Sequence, residues 1–65
     1  MTMPKLYKFR LKHDSGFVTI QTSADTLAEA IQRICDLEKC PVTAIKQAWK
    51  ISWTDDSAIQ LLNRA

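Results

Sequence analysis

Sixty-five residues carry nine Lys/Arg against seven Asp/Glu, a net charge of +2, with 46% hydrophobic and 25% charged residues. A chain of that length makes one domain that buries only about 60% of its unfolded surface, and this composition excludes a disordered tail. No apolar run approaches the roughly 18 residues of a bilayer span and no secretory pattern is readable, so a cytoplasmic location with no membrane partner is expected.

Residues 5–12 alternate Tyr7, Phe9 and Leu11 with Lys8, Arg10 and Lys12, the period-two pattern of a strand with one apolar face. His13-Asp14-Ser15-Gly16 supplies turn chemistry, including the one glycine of the chain, and residues 17–22 resume alternation with Val18 and Ile20. A hairpin closed by that turn sets Leu11 opposite Val18, Phe9 opposite Ile20 and Tyr7 opposite Thr22. Lys12, Arg10 and Lys8 then oppose Phe17, Thr19 and Gln21 on the other face.

From Ser23 the period becomes 3.6. Leu27, Ala30, Ile31, Ile34 and Leu37 form one stripe, which predicts an amphipathic helix. Ser23 is one N-cap candidate, and Thr26 with Glu29 offers a competing capping box. Pro41 ends the helix. Cys35 and Cys40 sit near that end, in positions poorly set for pairing with each other, and reduced thiols are expected.

A third strand is predicted over residues 44–52, with Ile45, Gln47, Trp49, Ile51 and Trp53 on the core side and Lys46, Ala48, Lys50 and Ser52 on the other. Thr54, Asp55, Asp56 and Ser57 are N-cap candidates for a short C-terminal helix through Ala58, Ile59, Leu61 and Leu62, with Arg64 at its dipole's negative end. The fold class expected is α+β: a two-layer ββαβ domain with a three-stranded mixed sheet, one covering helix and a short C-terminal helix. The strand order expected is 2-1-3, with 1-2-3 the alternative. Tyr7, Phe9, Leu11, Val18, Ile20, Ile45, Trp49 and Ile51 are the sheet residues expected beneath the helix.

The residues offer little for catalysis. His13 is the one histidine and lies in the turn; one glycine cannot make a phosphate loop; and Cys35, Cys40 and His13 lack metal-ligand spacing. A protein that is not an enzyme, with no metal and no cofactor, is expected. What stands out is the placing of charge. Lys5, Lys8, Arg10, Lys12, Lys46 and Lys50 all fall in the predicted first and third strands, and every acidic residue falls outside strands.

Lys8, Arg10, Lys12, Lys46 and Lys50, with Thr19 and Gln21, would share the sheet face away from the helix and could hold DNA or RNA there. The same lysines could serve solubility alone, or meet an acidic protein partner. The other reading is a protein-interaction module or homodimer using Phe17, predicted to be exposed, and Ile59, Leu61 and Leu62, which have no obvious burial site in one two-layer domain; the same C-terminal helix could instead close over one end of the sheet.

Overall fold

The computed structural model describes residues 4–55 and 57–64; Asp56, one of the expected cap candidates, lies outside them. The elements in chain order are β1 (Lys5–His13), β2 (Gly16–Ala24), α1 (Leu27–Glu38), a 3-10 turn (Val42–Ala44), β3 (Ile45–Ile51) and β4 (Ala58–Asn63). They form a four-stranded antiparallel sheet in the order β2-β1-β3-β4, with the helix on one face. The three-stranded mixed sheet with a C-terminal helix, expected from the sequence, is therefore corrected.

The first hairpin follows the alternation of its side chains. Leu11 pairs with Val18, Phe9 with Ile20, Tyr7 with Thr22, and Lys12 with Phe17. Asp14 and Ser15 make the turn, and Gly16 leaves it at φ 133°, a backbone state that L side chains rarely adopt. Tyr7, Phe9 and Leu11 point under the helix and are buried; Val18, at the outer strand, remains 38% exposed.

The third strand departs from simple alternation. Arg10 pairs with Gln47, but the next residue, Leu11, pairs with Ile45, so Lys46 is an extra residue on β3, a β-bulge. Beyond a bulge the side-chain parity is reversed. Ile45 and Ala48 both enter the core, while Gln47, Trp49 and Ile51 lie with Arg10, Lys8 and Leu6 on the open face. Two expectations fall with that parity. Trp49 and Ile51 are not core residues, and Lys50, paired with Tyr7, is on the helix side of the sheet.

The C-terminal segment is a strand because its polar residues build a turn. Ser57 N donates to Asp55 Oδ1 at 3.1 Å, Thr54 N donates to Ser52 Oγ at 3.3 Å, and Ser52 N donates to Ser57 O at 2.8 Å. An aspartate accepting from the amide two residues on makes an Asx turn, which uses the same residue types as a helix cap. The chain then returns along β3 and satisfies its open edge, with Leu62 packed against the core. A short helix there would have left that edge bare and depended on packing.

Helix α1 begins at Thr26, whose Oγ1 accepts from Glu29 N at 3.2 Å while the Glu29 carboxylate accepts from Arg33, so half of the expected box is formed; Ser23, the other candidate cap, belongs to β2. Ala30 and Ile34 are fully buried, and Leu27, Ile31 and Cys35 pack partly against the core. Leu37, expected in the stripe, is 72% exposed. Stability should report this difference in urea unfolding. Ile34→Val, the loss of one methylene, is expected to cost about 0.5–1.5 kcal/mol. Leu37→Ala, a larger truncation, should stay within about 0.5 kcal/mol, and a larger loss at Leu37 than at Ile34 would contradict the helix orientation.

Candidate nucleic-acid interface on the open sheet face

The face of the sheet away from α1 is built by residue parity. β1 presents Lys8, Arg10 and Lys12; β2 presents Phe17, Thr19 and Gln21; β3 presents Gln47 and Trp49; β4 presents Gln60 and Asn63. Asp14, Asp25, Glu29, Asp36, Glu38 and Asp55 all lie in turns, loops or the helix. Among the described residues no carboxylate stands on this face, and the ion pair they form, Arg33 with Glu29 at 2.7 Å, is on the helix.

Two cation–aromatic pairs organise the face. The Arg10 guanidinium lies 4.3 Å from the centroid of the Phe17 ring, and Lys8 Nζ lies 5.8 Å from that of Trp49. Both are within the roughly 6 Å over which a cation feels the ring quadrupole. Phe17 is 53% exposed and Trp49 half-buried, so each ring still offers surface to solvent. The amides of Gln47 and Asn63 meet across β3 and β4, with Gln47 Nε2 donating to Asn63 Oδ1 at 3.3 Å.

At one end of this face lies a hollow of about 310 Å³ lined by Arg10, Lys12, Phe17, Lys46, Gln47, Asn63 and Arg64. Lys46, the bulge residue of β3, is part of its lining, and a second bulge stands on β4 at Leu61, the extra residue between Gln60 and Leu62. Arg64 N donates to Lys46 O at 2.7 Å, which ties the end of β4 to the bulge.

Of the residues expected at a basic surface, Lys8, Arg10, Lys12, Thr19 and Gln21 share the open face, and Lys46 reaches it through the bulge. Lys50 does not; it lines a separate apolar recess with Pro4, Trp53 and Ile59. Trp49, Gln47, Asn63 and Arg64 escaped the sequence reading, the first two through the parity change and the last two because a helix was expected there. The four expected interface residues are not one patch: Phe17 is on the β2 edge, while Ile59, Leu61 and Leu62 are on the opposite edge strand.

Other chemistry is sparse. His13 Nε2 is buried without a hydrogen-bond partner, in a cavity of about 590 Å³ that Lys12, Asp14, Glu38 and Cys40 also line. No group of three His, Cys, Asp or Glu side chains among the described residues is placed to hold a metal ion. No helix of the structure is long and apolar enough to cross a membrane. Compared with family models, curated proteins and solved structures, the chain matches none of them.

The two cysteines are closer than their spacing suggests. Lys39 turns left-handed at φ 52° and Cys40 N donates to Cys35 O at 3.1 Å, the six-to-one bond of a Schellman motif. That motif folds the residue after the turn back over the last helical turn and brings the two free cysteines near each other. Burial, and then the neighbouring Cys40 sulfur, push the Cys35 thiol above its ordinary range. Less thiolate is then present at a given pH. Alkylation of Cys35 by iodoacetamide should have its pH midpoint above that of an unburied thiol, and Cys40→Ser should move it part of the way down. An unshifted midpoint in the unmodified chain would contradict this arrangement.

Proposed function

We propose that this chain is a non-enzymatic binding protein that takes single-stranded nucleic acid across its open sheet face. The observation that carries the reading is a face without a carboxylate among the described residues, on which Phe17 and Trp49 are interleaved with Lys8, Arg10 and Lys12. Solubility alone would be served by lysines, whereas exposed rings on a sheet are surface that water disfavours. Bases of a single strand are free to stack on such rings while cations meet the phosphates, and stacking tolerates any sequence. Thr19, Gln21, Gln47 and Gln60 supply hydrogen bonds for base edges or sugars.

Stacking favours a nucleic acid over an acidic protein partner, and single strands over a duplex whose bases are already stacked. The test is fluorescence anisotropy of labelled single-stranded DNA and RNA, with a duplex alongside, over a series of salt concentrations. Removal of a stacking ring is worth about 1–3 kcal/mol per base, so Phe17→Ala should weaken binding by roughly 5- to 150-fold. Arg10→Gln should reduce the slope of log K against log salt by about 0.7. Failure of any single strand to bind at low salt would remove the proposal.

A second reading, self-association, has its own observation. Ile59 and Leu61 are 60% and 41% exposed on β4, an edge strand with an unpaired side. Pairing of two β4 strands would cover both and would leave the open face free. Sedimentation equilibrium would then give a dimer that Ile59→Asp converts to a monomer; a monomeric unmodified chain at high concentration would dismiss this reading.

A further inference from the structure

The cations of the open face are not evenly spread. Lys8 stands alone beside Trp49, whereas Arg10, Lys12, Lys46 and Arg64 surround one hollow of about 310 Å³. A strand crossing a sheet presents its phosphodiesters one negative charge at a time along its path. Four cations gathered around one opening, without a carboxylate among the described residues that line it, match a more concentrated charge. A phosphomonoester carries about −1.5 to −2 at pH 7 and three acceptor oxygens, and it occurs on a nucleic-acid strand only at a phosphorylated end.

The backbone around the hollow is specialised as well. The bulge at Lys46 takes that residue out of strict alternation so that it lines the hollow with Lys12 and Arg10, and the bond from Arg64 N to Lys46 O holds the Arg64 backbone beside it. Bulges commonly re-aim a side chain next to a functional site. Phe17 lines the same hollow, 4.3 Å from the Arg10 guanidinium, so a ring for one base stands directly beside the charge cluster.

Resting on the single-strand reading above, we infer that the hollow between Arg10, Lys12, Lys46 and Arg64 seats the terminal phosphate of a single strand. The terminal base then lies against Phe17, and the chain continues over Trp49. Binding is thereby anchored at one end of the strand and has a polarity. Arg10 and Arg64 can each offer paired N–H donors to the phosphate oxygens, while Lys12 and Lys46 act as point charges.

The experiment compares one short oligonucleotide in three forms: 5′-phosphorylated, 3′-phosphorylated, and hydroxyl at both ends. Each carries its fluorophore on an internal base, and affinities are read by anisotropy. One phosphorylated form should bind about tenfold or more tightly than the hydroxyl form, as charge-assisted hydrogen bonds to a doubly charged group allow. Which form gains identifies the end that is recognised. Lys46→Ala and Arg64→Ala should each remove most of that preference, whereas Lys8→Ala should weaken all three forms alike. Circular dichroism confirms that each variant is folded, and Arg64, exposed at the end of β4, tests the inference even if Lys46→Ala disturbs the bulge. Equal binding of the three forms overturns the terminal-phosphate site and leaves the sheet-face reading standing. Absence of binding by all three overturns both.

Discussion

The architecture of the face depends on one extra residue. Without the bulge at Lys46, simple alternation would place Gln47 and Trp49 beneath the helix and Ala48 and Lys50 outside. The bulge instead admits Ile45 and Ala48 to the core, where both are essentially inaccessible, and sends Trp49 to the open face. An alanine opposite Phe9 suits a crowded core shared with Ala30, because small residues let a helix approach a sheet closely. A buried Gln47 would have lacked partners for its amide, and on the open face it finds Asn63.

Acidic residues decorate the helix and the turns, cations occupy the open face, and the sheet stands between them. The chain's small net charge of +2 therefore coexists with a positive open face, while the helix side is mixed, with Arg33, Lys39 and Lys50 beside Glu29, Asp36 and Glu38. Lys50 shows the limit of reading this from composition, since it lies in β3 but faces the helix side, next to Pro4 and Trp53.

Where the sequence was legible, two independent signals agreed. In the β1–β2 hairpin, alternation on both strands and a turn containing Gly16 demand one register, and that register is present. In α1 the stripe gave the helix, while its start stood open between Ser23 and Thr26 until the structure placed Ser23 in β2 and the cap at Thr26. Ambiguity arose where one residue type serves two structures. Thr54, Asp55 and Ser57 suit a helix N-terminus or an Asx turn equally, and only the unpaired edge of β3, a tertiary feature, decides between them. A bulge has no marker of its own in β3, which contains no glycine or proline. The parity of Trp49 is therefore invisible until the partners Leu11 and Phe9 are known.

Placing Trp49 outside changes the energetic argument for the whole face. In a chain this short the core is scarce, and the fully buried large side chains are Phe9, Leu11, Ile34 and Ile45. A half-buried tryptophan and a 53%-exposed phenylalanine represent apolar area that the fold leaves unused for its own stability. Lys8 and Arg10 lie over those rings and moderate their exposure, which keeps the free face soluble without burying it. In the proposed complex a base would exchange places with the overlying cation, taking the ring while the cation turned to the adjacent phosphate. The two pairs that make the free surface tolerable in water are thus the same groups that a stacked, phosphate-bearing ligand would engage.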